Sequence, residues 1–387
     1  MSVSNTPPGT TSTPAPTGGT SGGSGGSSGG STGGGSSTAA IAYAYVGSSV
    51  GQAGSAIYGF SVAADGSVTA VPGSPVSGPS NDVVTNSAFV FGDDSHTIAT
   101  YTRASDGSLQ PSSSLFAVLN NGPGQLWALS SMSLDHTGQT LYAVENAGAD
   151  DLYYFFFHVA SDGKLTNIGK IGPNVDYVSP LVFSPDNTYA YGFGCFHASW
   201  NLTGFRRNGD GSLTPIGGTN QSVPTFDGTG QMYCPEGEAI SQMGYMAVAV
   251  AELGSNKVGV GTYKINSDGS LAMVPASTQS IQLPQTTGCC GILGMNFDRS
   301  GQFLTIANQG GIQTFRLAAG GTLTPIGGPQ QPGPNYMAVQ WDADNHVYAT
   351  SSSGMHVFTA NQGVLTPASG SPHAAGPAGS LAVLPTH

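Results

Sequence analysis

The stretch Ser105-Asp106-Gly107-Ser108-Leu109 decides the fold, because it returns along the chain. Close copies stand at Ala64-Asp65-Gly66-Ser67-Val68, Ser161-Asp162-Gly163-Lys164-Leu165, Gly209-Asp210-Gly211-Ser212-Leu213 and Ser267-Asp268-Gly269-Ser270-Leu271. Two looser copies come later, Ala319-Gly320-Gly321-Thr322-Leu323 and Asn361-Gln362-Gly363-Val364-Leu365. Successive glycines lie 41 to 58 residues apart. A period of that size marks a repeat architecture, in which each unit buries its apolar surface against its neighbours.

The interior of one unit shows what repeats. Between Leu126 and Ile171 an apolar run ends in the turn Asp135-His136-Thr137-Gly138. The strand Thr140-Leu141-Tyr142-Ala143-Val144 comes next, then a loop from Glu145 to Asp150, then the aromatic strand Leu152 to Val159. The Asp-Gly phrase turns that strand into a fourth one, Lys164 to Ile171, since Asp-Gly is a strong hairpin signal. The first turn recurs as Ser184-Pro185-Asp186-Asn187, Asp298-Arg299-Ser300-Gly301 and Asp342-Ala343-Asp344-Asn345. Seven four-stranded antiparallel units repeated radially predict an all-β, seven-bladed β-propeller. The stretch Gly379 to Leu384 reads as an innermost strand with no blade after it, and Ala40 to Val46 as a second strand with none before it. Joining the two closes the ring and removes an exposed edge.

The propeller is expected over residues 39–387. Residues 1–38 hold 12 Gly, 10 Ser and no charge, too little apolar surface to offset ordering entropy, so a disordered linker is expected there. Such a tether ahead of a β domain resembles the segment after the lipid-modified cysteine of bacterial lipoproteins. The expectation is therefore an extracytoplasmic protein held at a membrane only by an N-terminal lipid, with Met1 in the place of the processed cysteine.

Charged residues make up 8% of the chain, against about 25% in an average soluble protein. With a net charge of −12 and nine Lys plus Arg, the surface repels nucleic acid and anionic membranes. No apolar run approaches the roughly 18 residues that cross a bilayer as a helix.

The phrases Asp210-Gly211-Ser212-Leu213-Thr214-Pro215-Ile216-Gly217-Gly218, Val71-Pro72-Gly73-Ser74-Pro75-Val76-Ser77-Gly78-Pro79-Ser80 and Gly370-Ser371-Pro372-His373-Ala374-Ala375-Gly376-Pro377 resemble those of the lactonase-type seven-bladed propellers. That is the family of bacterial 6-phosphogluconolactonase and fungal carboxymuconate cyclase. The resemblance spans about residues 40–385 and implies the architecture; the phrases fall on turns and outer strands, where no catalysis occurs.

In such propellers the loops before each innermost strand and after each second strand converge on one face, a funnel over the central channel. Asn81, Gln125, Asp176, Glu236, Glu238, Asn308 and Asn335 are the candidate ligand-binding residues there. Amides and carboxylates without cations suit a neutral, hydroxyl-rich ligand. A phosphosugar lactonase needs Arg or Lys at that mouth, yet Arg103, Arg206, Arg207, Lys264 and Arg316 precede the anchor phrase near the opposite face, and only Lys257 falls near the funnel. Fold does not carry activity with it. A lactonase acting on unphosphorylated substrate would draw its general base and carbonyl polariser from Glu145, Glu252 and His197.

The remaining histidines, among them His96, His136, His158, His346, His356 and His373, are scattered singly, without metal-ligand spacing, and neither metal nor cofactor is expected. Cys195, Cys234, Cys289 and Cys290 all fall near the funnel in neighbouring blades, and four cysteines allow three pairings. In an oxidising compartment Cys195–Cys234 with a vicinal Cys289–Cys290 bridge is the favoured one. The aromatic strand Tyr153 to His158 is expected to pack on both faces rather than to present a sugar platform. Two functions emerge as expectations: a surface-tethered binding or structural module, whose partner is a neutral carbohydrate, a sugar lactone or another surface protein, and, alternatively, a lactone hydrolase.

Overall fold

The structure, a computed structural model, describes residues 39–48, 55–116, 128–146, 151–174, 179–194, 201–217, 221–222, 233–252, 257–275, 277–283 and 292–385. These residues form strands and turns and contain no helix. Seven antiparallel sheets are present, each built on four strands, in sequential order in six of them. Blade 2 comprises Val83–Thr85, Phe89–Asp93, Thr97–Arg103 and Leu109–Phe116, from the innermost strand outward. Blade 3 comprises Ala128–Leu134, Thr140–Asn146, Leu152–Val159 and Leu165–Ile171. Blades 4 to 7 repeat the pattern, with innermost strands Val182–Phe183, Tyr233–Ser241, Ile292–Phe297 and Tyr336–Trp341.

Blade 1 closes the ring as the sequence predicts. Its three outer strands, Ala40–Ser48, Ala56–Ala63 and Val68–Ala70, come from the N-terminal side, and its innermost strand is Ala378–Leu384. Tyr45 lies opposite Ala382 and Val46 opposite Leu381 in antiparallel register.

The core is not one mass but seven layers, one between each pair of neighbouring blades. Phe89, Phe91 and Ile98 of blade 2 pack on Leu141, Phe155 and Phe157 of blade 3. On the other side of blade 3, Tyr142, Tyr154 and Phe156 pack on Phe183 and Phe205 of blade 4. The aromatic strand therefore buries both faces, as period-two alternation between two neighbours requires. The last layers join blade 7 to blade 1 and blade 1 to blade 2, and Leu381 and Val383 enter one of them while Ala382 and Leu384 enter the other.

The recurring glycine phrase does more than turn a hairpin. All seven anchor glycines have φ between +79° and +88°, a left-handed conformation that costs any residue with a Cβ about 1–2 kcal/mol. The preceding Asp, where present, accepts the N–H two residues on, as Asp106 does from Ser108 at 3.0 Å. The glycine carbonyl then accepts a bond from the previous blade. Tyr45 Oη donates to Gly107, Tyr142 to Gly211 and Tyr191 to Gly269, at 2.7–2.9 Å. Tyr43, Tyr189 and Tyr245 donate to the carbonyls of Ser105, Ser267 and Ala319 in the same turns. Each phrase is thus a hairpin turn and an interblade lock at once.

The first turns show a similar economy. Asp135, Asp298 and Asp342 are nearly solvent-free and accept backbone N–H groups within their own turns. The fourth residue of each such turn, Gly138, Asn187, Gly301 or Asn345, is left-handed, which explains the restriction to Gly and Asn.

Candidate functional site

Second strands run from the first turns toward the funnel, so their last residues meet there. Five of the seven end in a polar side chain that is almost wholly buried, Ser48, Asp93, Glu252, Asn308 and Ser351, and in blade 3 the buried Glu145 comes just before the exposed last residue, Asn146. Blade 4 departs from the rule, its second strand Tyr189–Phe193 ending in an aromatic residue. Asp93 was not legible as part of this set, because blade 2 is short and its loop carries the run Asp93-Asp94. Aligning the ends of the second strands would have found it.

The innermost strands carry a second recurring device at the same end. In five blades the register skips one residue just before the second strand finishes: Gly379, Ser130, Glu236, Leu293 and Met337. A bulge of this kind bends the strand and re-aims a side chain. Ser130 and Met337 are exposed and Glu236 is half-buried, whereas Glu145 and Glu252 behind them are 1% and 5% exposed. Glu236 and Glu238, expected in a loop, lie inside the strand Tyr233–Ser241, which starts earlier than its sequence suggests because the bulge absorbs the extra residue.

The acidic groups form two sectors. In blade 2, the Asp82 carboxylate accepts the Val83 N–H at 2.9 Å and the Met132 N–H of blade 3 at 2.7 Å. Burial raises its pKa despite those bonds. Asp93 accepts the Ser95 N–H at 3.1 Å through Oδ1, while its Oδ2 is buried without a hydrogen-bond partner among the described residues. Burial, and then the charge of Asp82, push Asp93 up to about 7. In blade 5, Glu238 receives a 2.8 Å bond from Ser179 Oγ of blade 4. Burial outweighs that bond and holds its carboxyl well above the usual carboxylate range. Lys257, the cation nearest the funnel in sequence, is exposed and lies 3.4 Å from Glu252.

The amide candidates divide. Asn81 is exposed and its Nδ2 donates to Ser95 Oγ at 3.1 Å. Asn308 is buried and accepts the Gly310 N–H at 2.7 Å, so it shapes its own hairpin. Asn335 is exposed next to the strand Tyr336–Trp341. Cys234 is buried on the innermost strand of blade 5. Gln125, Asp176, His197, Cys195, Cys289, Cys290 and residues 1–38 lie outside the described residues.

Several cations are committed elsewhere. Arg207 pairs with the buried Asp135 at a first turn of blade 3, and Arg103 bonds the Ser87 carbonyl and covers the Tyr43 ring. Lys170 lies 4.3 Å from the centre of the Tyr153 ring on the outer part of blade 3. At the end of the channel opposite the funnel, where the innermost strands finish, a cavity of about 830 Å³ is lined by Asn86, His136, His158, Asn296, Trp341 and Leu384, among others. Three or more His, Cys, Asp or Glu residues grouped for a metal are absent among the described residues.

No protein-family model matches the chain, and no curated protein does. Solved structures do. A putative 6-phosphogluconolactonase from Bacteroides fragilis aligns over 90% of this chain and 99% of its own, with 15% identity and a TM-score of 0.65. A putative 6-phosphogluconolactonase from Bacteroides uniformis aligns over 89% and 99%, with 16% identity and a TM-score of 0.66. A periplasmic gluconolactonase from Pseudomonas aeruginosa aligns over 88% and 99%, with 18% identity and a TM-score of 0.61. The chain shares the seven-bladed propeller fold of these 6-phosphogluconolactonase-like structures.

Proposed function

We propose that the chain is a tethered propeller that binds a neutral, hydroxyl-rich ligand of the sugar or sugar-lactone class at the funnel. The observation that carries this reading is the polarity of the funnel end: carboxylates, amides and hydroxyls terminate the second strands, and the nearby Lys257 lies against Glu252. Carboxylate and amide oxygens accept bonds from sugar hydroxyls, while the same carboxylates repel a phosphate. The uncharged Gly/Ser-rich residues 1–38 support placing the protein outside the cytoplasm on a lipid tether, and the disulfide bond of Cys234 supports that oxidising setting, with Cys195 its proposed partner.

Titration calorimetry of the full chain with an aldono-lactone, its 6-phosphate and the matching free sugar tests the reading. It expects heat with the neutral compounds and at least a tenfold weaker response to the phosphate ester. Tighter binding of the phosphate ester refutes it.

A second reading, hydrolysis of the bound lactone, is favoured by one observation. Burial raises the Glu238 carboxyl well above the usual carboxylate range, the direction in which a general acid is tuned. Turnover of a neutral lactone that Glu238→Gln abolishes, together with Glu145→Gln or Glu252→Gln, would replace the binding reading by this one.

A further inference from the structure

The hairpin between the second and third strands of blade 7, His346–Ser351 and Gly354–Asn361, reaches the funnel end through the two-residue turn Ser352-Ser353. Blade 6 closes the same kind of two-residue turn with Asn308, which bonds its own backbone. Blade 7 keeps such a bond, Ser351 Oγ accepting the Ser353 N–H at 3.1 Å, and in addition aims three side chains at one another. Ser351 Oγ lies 2.8 Å from His356 Nε2, Ser353 Oγ lies 3.2 Å from the same nitrogen, and the two hydroxyls are 2.8 Å apart. Ser353 is exposed, while Ser351 and His356 are buried. The imidazole is fixed on two sides, edge-on to Tyr336 at 5.0 Å and stacked over Phe358 at 6.2 Å with planes 6° apart.

We propose that Ser353 is a nucleophilic hydroxyl at the funnel, activated by His356 directly and through Ser351, and that it accepts an acyl group from an ester or lactone. The arrangement has the parts such chemistry needs: a nucleophile in contact with solvent, a base within hydrogen-bond reach, and packing that holds the base in place. In the step, Ser353 Oγ bonds to the substrate's carbonyl carbon as its proton passes to His356 Nε2. The carbon–oxygen bond to the leaving alkoxide breaks, and His356 returns the proton to that oxygen. Water then cleaves the acyl-serine by the reverse proton path, releasing the acid. Burial, and then the neighbouring His373, lower the His356 pKa, so the ring is neutral and able to accept a proton at pH 7. Beyond His373, the titratable group facing the ring is Tyr336, whose hydroxyl burial pushes up to about 12, so it stays uncharged there.

This goes beyond the binding reading and does not depend on it, because it is tested with a reagent that needs no ligand pocket. A fluorophosphonate forms an Oγ–P bond as its P–F bond breaks, and the serine proton leaves through His356 with fluoride. Treating the full chain should add one adduct, mapped by peptide mass spectrometry to Ser353. Ser353→Ala should remove it, Ser352→Ala should label within twofold of the parent, and His356→Gln should slow labelling about 100-fold, the scale of general-base assistance. On the unaltered chain the labelling rate should fall as pH drops through a value below 6.5, where His356 takes up its proton. If circular dichroism shows that His356→Gln is unfolded, this pH profile decides alone. Absence of an adduct on Ser353, unchanged labelling in folded His356→Gln, or a flat rate between about pH 4 and 8 overturns the proposal.

Discussion

Gly209 and Gly211 flank one aspartate in the same anchor turn, yet their environments differ enough to separate two effects. At Gly211 the backbone has φ +88°, and an added Cβ would come within 2.5 Å of Thr140 Oγ1 and 2.8 Å of Thr140 Cγ2 in the preceding blade. The Gly211 carbonyl also receives the Tyr142 hydroxyl at 2.7 Å. At Gly209 the φ is ordinary and nothing lies within 4 Å of a Cβ. Gly211→Ala therefore incurs about 1–2 kcal/mol for the left-handed backbone and about 1–3 kcal/mol for overpacking a tight interface, together roughly 2–5 kcal/mol. Gly209→Ala, exposed and unstrained, should stay within about 0.5 kcal/mol. With an unfolding entropy of about 2.1 cal/mol/K per residue over the propeller, 1 kcal/mol is roughly 1.4 °C in Tm. Scanning calorimetry should then show Gly211→Ala about 3–7 °C below the parent and Gly209→Ala within about 1 °C of it. Equal transitions for the two variants would refute the interblade lock.

The remaining expectations concern the same scaffold and its buried charges. Tyr142→Phe removes one donor to that carbonyl and should cost about 1 kcal/mol in urea denaturation; no change would mean that the carbonyl finds another partner. Asp93 has a folded pKa raised to about 7, so its contribution is fully present below the ordinary value near 3.9 and is lost as pH rises toward 7, at up to about 1.4 kcal/mol per unit. Asp93→Asn should accordingly gain on the parent as pH goes from about 4 to 8, and a Tm difference independent of pH contradicts this. Asp342 is nearly solvent-free, with its Oδ2 2.8 Å from His346 Nδ1 and also accepting the Tyr348 hydroxyl at 2.8 Å. Asp342→Ala should cost about 3–5 kcal/mol by stranding those partners, read as a shifted denaturation midpoint. Ending the chain at residue 377 deletes the innermost strand Ala378–Leu384 of blade 1, and calorimetry should then lose the cooperative transition; a retained one would show that the ring does not need the closing strand.

What could be read beforehand divides along a physical line. Hairpins and strand faces are local: Asp-Gly turns, left-handed Gly or Asn and two-residue alternation act between neighbours in the chain, so seven blades and the joined ends were legible. The scarcity of cations at the funnel end, where Lys257 alone falls, was legible for the same reason, since strand order assigns each Arg and Lys to one end of a blade. The bulge that carries Glu236 out of register was not, because a bulge depends on pairing with Tyr245–Glu252 and leaves no mark in composition. Nor was the depth of Glu145 and Glu252, which are 1% and 5% exposed. Ser353 and His356 looked like a turn residue and a scattered histidine, although they are only three positions apart.

The sequence by itself determined the repeat, its number and its closure, because those arise from turn chemistry and from apolar faces that need a neighbour. Tertiary structure decided which polar groups lose their water. Desolvation depends on what the adjacent blade places against a side chain, as Ser179 lies on Glu238, and contacts at a sequence distance of a whole blade leave no local signature.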